Sequence, residues 1–202
     1  MNSNKSDLNS IPSKQKNALI VFTRDPELGK CKTRLAKTIG DKSALNIYKY
    51  LLNHTAEITT DLNADKFVFY SENIKEKDMW DSRIFKKHLQ LGTDLGHRME
   101  HAFQTIFKLH YEKAIIIGSD LLDLKTDLIE TAFQLLDHND YVIGPATDGG
   151  YYLLGMKTMN SALFKEKNWP TYIKHCAFAS VLAVLLQQQS GFGVMRWRSD
   201  VQ

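Results

Sequence analysis

Cysteine is nearly absent from this chain of 202 residues: Cys31 and Cys176 are the only two. Two are too few for a disulfide framework and stand at no metal-ligand spacing, so reduced thiols and a cytoplasmic location are expected. A charge excess of one sign is missing too. The formal net charge of +3 is too small to point to nucleic acid as a partner. Long apolar runs are lacking: the longest apolar or small run, residues 176–186, falls short of a membrane span and reads as a buried helix. Residues 1–16, rich in Ser, Asn and Lys, hold no apolar core; they read as a disordered tail and not as a signal peptide. Two phosphate signatures, G-x-x-x-x-G-K-[ST] and G-x-G-x-x-G, are absent, which excludes the P-loop and the dinucleotide fingerprint. No internal repeat is visible. The remaining composition, 43% hydrophobic and 24% charged, is that of a soluble globular protein long enough for one sizeable core.

The rest is organised around residues 114–124. Ala114-Ile115-Ile116-Ile117 is an unbroken apolar run rich in β-branched residues, which suits a strand covered on both faces of a parallel sheet. The run breaks on Gly118-Ser119 and delivers Asp120 at the carboxyl end of the strand, where open α/β sheets bind ligands. A carboxylate there can hold Mg²⁺ or Mn²⁺, ions that keep several waters and bridge to substrate phosphates. The plain alternative is that Asp120 or Asp123 caps the next helix.

Residues 18–22 form a first apolar strand, followed by a loop over 23–35 punctuated by Pro26 and Gly29 and carrying Arg24, Lys30, Lys32 and Arg34. Such a loop can receive phosphates through its cations and free backbone N–H groups, or be a solvated basic turn. Cys31 sits among these cations. Apolar residues at helical spacing over 41–62 predict a core helix with Asp41 or Ser43 as its N-cap. Residues 67–70 and 84–89 read as strands. Gln90 then offers an amide suited to a nucleobase edge. Gly92 and Gly96 permit close backbone approach before a helix bearing Met99, Phe103, Ile106 and Phe107, with Asp94 as its cap. His97-Arg98-Met99-Glu100-His101 matches H-x-x-E-H formally; two solvent-facing histidines on a helix are the simpler reading. Asp127 and Glu130 suit the first turn of a helix reaching Leu136. Residues 141–144 are another strand. It runs into Asp148-Gly149-Gly150, a plain turn or the start of a polyol site with Tyr151-Tyr152. Strands alternating with helices predict a doubly wound α/β domain.

Four blocks of residues support a family comparison. Phe22-Thr23-Arg24 with Pro26, Gly29 and Lys32-Thr33-Arg34-Leu35 resembles the opening of bacterial transferases of the GT-A fold, the selenodomain-associated or nucleotide-diphospho-sugar transferases. The other three blocks resemble that family in the same order: Gln90-x-Gly92-x-Asp94-Leu95-Gly96-x-Arg98-Met99, Gly118-Ser119-Asp120-x-x-Asp123-Leu124 and Gly144-Pro145-x-x-Asp148-Gly149-Gly150-Tyr151-Tyr152-Leu153. The chain is more distantly similar to guanylyltransferases of the molybdenum-cofactor and phospholactate type, which share the K-T-R-L-like loop. Leu28 and Leu122 stand where the family usually has proline.

The resemblance implies a single GT-A domain over residues 17–170 with a mostly parallel sheet, preceded by the tail at 1–16. It implies that Arg24, Lys32 and Arg34 bind the nucleotide phosphates, with Gln90 and Gly92 near the base. Asp120 would hold Mg²⁺ or Mn²⁺ and serve catalysis with Asp148, and Gly149, Gly150 and Tyr151 would lie on the acceptor side. The implied activity is a metal-dependent transfer from a nucleotide-sugar to a small-molecule acceptor. The alternatives are a nucleotidyltransferase releasing pyrophosphate from a nucleoside triphosphate, or a nucleotide-binding protein without turnover. Neither a nucleic-acid partner nor a membrane span is expected. Residues 171–202 depart from the family, which continues with an acidic Asp-x-Asp-Thr segment. Here a helix and then irregular chain are expected, and with them weaker nucleotide binding and slow turnover.

Overall fold

A computed structural model describes residues 17–146, 150–165 and 193–195. Among them seven strands form one sheet in the order β3-β2-β1-β4-β6-β5-β7. The strands are β1 (Asn17–Thr23), β2 (Asp65–Tyr70), β3 (Phe85–Leu89), β4 (Lys113–Gly118), β5 (Tyr141–Pro145), β6 (Tyr151–Met156) and β7 (Gly193–Met195). β3, β2, β1 and β4 pair in parallel, whereas β6 is antiparallel to both β4 and β5. β5 therefore points the same way as the parallel group, so five of the seven strands share one direction. β7 is antiparallel to β5. It lies in the segment where irregular chain is expected; the expected helix at 176–186 and the tail at 1–16 fall outside the described residues.

β1 shows why the chain folds this way. Leu19 and Val21 project into one buried cluster with α2 (Asp41–Thr60) and α4 (Thr126–His138), while Ala18 and Ile20 project into another with α3 (Leu95–Lys108) and α5 (Ala162–Lys165). β4 splits likewise, with Ile115 and Ile117 on the first face and Ala114 and Ile116 on the second. A strand buried on both faces needs apolar residues at every position, the pattern both strands carry. The covering helices bury one stripe each: Met99, Ala102, Phe103 and Ile106 on α3, and Ile129, Ala132, Phe133 and Leu136 on α4. Their i, i+3, i+4, i+7 spacing is the helical period. The sheet is thus doubly wound, the GT-A arrangement that the sequence predicts.

The residue that precedes α2 is Gly40, so Asp41 and Ser43, the two residues expected as its cap, both lie inside the helix. β2 and β3 are parallel neighbours joined by residues 71–84 with no helix between them. Buried Trp80, set edge-on to Phe85, supplies the apolar anchor that a crossover helix would otherwise provide. No described helix is long and apolar enough to cross a membrane.

Candidate active site

The chain builds β1, β2 and β3 outward in one direction and then places β4 on the other side of β1. Strand order reverses between β1 and β4, the position at which an open α/β sheet leaves a crevice at its carboxyl edge. A cleft of about 520 Å³ lies there, lined by the ends of β1, β2 and β4, by the loop after β1 and by the start of α3.

Backbone carbonyls and one amide define its floor. The Thr23 carbonyl accepts from the Ser71 N–H at 3.0 Å. It also accepts from Gln90 Nε2 at 3.3 Å, and the same nitrogen donates to the Phe69 carbonyl at 2.9 Å. Gln90 thereby ties the ends of β1, β2 and β3, and its amide nitrogen faces two oxygens. An amide so placed has only Oε1 left to offer a ligand. Ser119 Oγ, buried, donates to Thr23 Oγ1 at 3.3 Å and joins the β1 and β4 ends. Ser71 Oγ is buried at the cleft wall with no partner among the described residues.

The loop after β1 is held from beneath. Tyr48 of α2 accepts from the Arg24 N–H at 3.3 Å and donates to the Arg24 carbonyl at 3.1 Å; burial raises its phenol pKa. Cys31 is buried in the α2-side cluster, its thiol donating to the Asp25 carbonyl at 3.3 Å. It acts as an apolar peg for the loop. The buried Asp25 carboxylate finds Lys75 Nζ at 3.5 Å. On this fixed loop Lys32 adopts the left-handed conformation (φ 48°, ψ 44°) as the residue preceding α1 (Thr33–Ile39). Its Nζ lies 2.7 Å from Asp120 Oδ2 and 3.5 Å from the Asp120 carbonyl.

The structure therefore joins Arg24, Lys32, Gln90 and Asp120 at one cleft. It leaves Arg34 exposed on α1, away from the lining, and puts Lys30 in the lining instead, paired with Glu27 at 2.6 Å. Neither Asp120 nor Asp123 caps α4, because Lys125 occupies that position. Among the described residues Asp120 is the one acidic side chain in the lining. No group of three potential metal ligands occurs among the described residues. A single accessible carboxylate suits an ion shared with substrate phosphates and waters, not an all-protein cage.

Gly92 is not among the residues lining the cleft; it has φ 143°, and a Cβ there would come within 2.7 Å of the Arg98 backbone nitrogen. Its carbonyl accepts from Arg98 Nε at 3.1 Å. Asp94 caps α3 as predicted, taking the His97 N–H at 3.0 Å and His97 Nδ1 at 2.8 Å. Those bonds hold the Asp94 carboxyl below its usual pKa. His97 is thereby spoken for, Glu100 accepts from Gln104, and His101 is half-buried with its Nδ1 unpartnered among the described residues, so the H-x-x-E-H match assembles no group of three ligands there. On the other side of the crevice β6 lies between β4 and β5, and Ile117 pairs with Leu153. Tyr151 thus begins β6 at the same sheet edge as Gly118. Its hydroxyl reaches Met99 Sδ at 3.3 Å, and burial pushes its pKa up to about 12. The Gly150 carbonyl closes the β5–β6 connection by accepting from Ala146 N–H at 2.9 Å. Asp148 and Gly149 lie outside the described residues.

Sequence reasoning did not assign a role to Arg98, Ser71, Tyr48 or Ser119. Arg98 and Ser119 carried the available signals, their places in two of the four blocks.

Comparison with known proteins bears on this site. The family model described as "Uncharacterized protein conserved in bacteria (DUF2064)" matches residues 54–171. A 2-phospho-L-lactate guanylyltransferase of Methanocaldococcus vulcanius is 28% identical over 163 residues, 78% of this chain and 69% of that protein. A crystal structure from Desulfovibrio desulfuricans G20, assigned as a nucleotide-diphospho-sugar transferase, superposes with a TM-score of 0.72 at 28% identity. That match covers 91% of this chain and 80% of the other. A cytidylyltransferase of Leptospira borgpetersenii shares the fold alone, with a TM-score of 0.50 at 10% identity over 85% of this chain and 73% of that one.

Proposed function

The chain belongs to the DUF2064 family, and from that premise we propose that its cleft binds a nucleotide-sugar with a divalent cation and transfers the glycosyl group to a small-molecule acceptor. A transferase-type fold with transferase relatives is the ground for it. The observation that carries it is the meeting of Lys32, on the loop after β1, with Asp120, just past β4, 2.7 Å apart at the topological switch. A cation and a carboxylate in that position divide the task of holding a metal-bound diphosphate.

In this reading Lys32 leaves Asp120 for the phosphates, joined by Arg24 and Lys30 from the same loop. Asp120 is freed to ligate Mg²⁺ or Mn²⁺, whose contribution when bound is to neutralise charge on the departing diphosphate. Gln90 Oε1 faces the base as an acceptor. Gly150, Tyr151, Gly149 and Asp148 belong to the acceptor side, and the Asp148 carboxylate would take the proton of the acceptor hydroxyl. Cytoplasmic location belongs to the same reading.

The guanylyltransferase similarity supports a second reading, in which the same residues hold a nucleoside triphosphate and pyrophosphate departs. The products decide. Incubation with a panel of nucleotide-sugars and Mn²⁺ should release a nucleoside diphosphate. Release of pyrophosphate from a nucleoside triphosphate panel would favour the second reading, and binding without either product would overturn both.

A further inference from the structure

We propose that Arg98 forms a second oxyanion-binding site in the cleft, across the sheet edge from the cationic loop. The two sites belong to different faces of the sheet. Cys31, beside Lys32, packs into the cluster under α2 and α4, whereas Met99, beside Arg98, packs into the cluster under α3. Both Lys32 and Arg98 nevertheless line the one cleft. An anion that fills the Lys32 side therefore leaves the Arg98 side to another group, or to the far end of the same ligand.

Arg98 is held ready for this. Its Nε donates to the Gly92 carbonyl at 3.1 Å, which fixes the guanidinium plane. The terminal nitrogens have no partner among the described residues. The carboxylates nearest in sequence have other work, since Asp94 accepts twice from His97 and Glu100 accepts from Gln104. A guanidinium anchored at one nitrogen, with its fork open to a cleft, matches phosphate or carboxylate in bidentate geometry. Gly92 is the positioning residue. Any side chain at its φ of 143° is strained, and a Cβ would press on the α3 backbone at His97 and Arg98. Only glycine lets the 91–94 turn lie against the helix start with its carbonyl on Arg98.

The ligand class is an oxyanion: the outer phosphate of the nucleotide donor or the acid group of the acceptor. That choice rests on the reading of the cleft as a transferase site; the existence of the site does not. Inorganic phosphate is the first probe, titrated by calorimetry into the wild type, Arg98→Met and Arg98→Lys. Arg98→Met should weaken phosphate about tenfold or more, and Arg98→Lys should recover part of it, with circular dichroism and Tm confirming the fold. Gly92→Ala should weaken phosphate while Arg98 itself remains. The titration is then repeated with a saturating nucleoside diphosphate. Phosphate that still binds assigns Arg98 to the acceptor's anion, and phosphate that is displaced assigns it to the donor. Equal phosphate affinity in the wild type and folded Arg98→Met overturns the site. If the wild type binds phosphate through Arg98 but no nucleotide, the transferase reading fails and this one stands.

Discussion

Two lysine–aspartate pairs of nearly equal length serve opposite purposes in this molecule. Lys87 and Asp78 meet at 2.9 Å with side chains 8% and 10% exposed; Lys32 and Asp120 meet at 2.7 Å with side chains 29% and 49% exposed. Every polar group of the first pair is committed. Asp78 also accepts from the Trp80 N–H at 3.0 Å and the Tyr70 hydroxyl at 2.5 Å, and Lys87 also donates to the Lys75 and Glu76 carbonyls. Burial and the Asp78 charge push the Tyr70 phenol far up. This pair pins the helix-free 71–84 crossover. Among the described residues the Lys32 ammonium bonds to Asp120 alone, so water and ligands compete for both partners. Equal distance, then, says little about permanence; burial and the number of supporting bonds decide which pair can open.

The contrast is tested first on stability. Asp78→Ala leaves a buried lysine unpaired and should cost about 3–5 kcal/mol in urea unfolding. Asp120→Ala, at an exposed pair, should change stability by about 1 kcal/mol or less. Similar losses in the two would erase the distinction. The order reverses for function: Asp120→Ala should lower metal-dependent turnover on the order of 10²-fold or more, read as nucleoside diphosphate release. A smaller effect is expected for Lys32→Met, which should weaken nucleoside diphosphates about tenfold relative to the nucleoside. Arg34→Ala, off the cleft wall, should fall well short of that in the same assay, and an equal loss would mean that α1 turns inward on binding. The smallest effect concerns pH. His88, beside Lys87 on β3, stacks on Phe69, and burial lowers its pKa from 6.5. Its contribution is complete above 6.5 and declines as pH falls through the lowered value. His88→Gln should flatten that part of the stability–pH curve, measured by thermal unfolding.

The sequence discloses these two regions unequally. Strands β1 and β4 are legible because burial on both faces demands uninterrupted apolar residues, and α3 because its apolar stripe follows a recognisable cap. Lys32 and Asp120 are legible as chemistry at strand ends. Asp78 and Lys87 are not, because a buried ion pair nine residues apart in an irregular crossover has no period or spacing to betray it. Arg34 shows the converse: its place in a K-T-R-L block suggests a phosphate contact, yet α1 begins at Thr33 and turns it outward. Arg98 was visible in a block but not as a ligand group, since its readiness depends on the Gly92 carbonyl, a backbone contact that side-chain patterns do not encode.

Lys32 also carries a backbone cost. A non-glycine residue in the left-handed region carries a conformational penalty of about 1 kcal/mol, and glycine at that position would remove it. Lys32→Gly should therefore preserve or improve the melting temperature of the backbone while deleting the ammonium group that the loop presents to Asp120. At Lys32 the chain thus carries a backbone cost together with a charge at the mouth of the crevice.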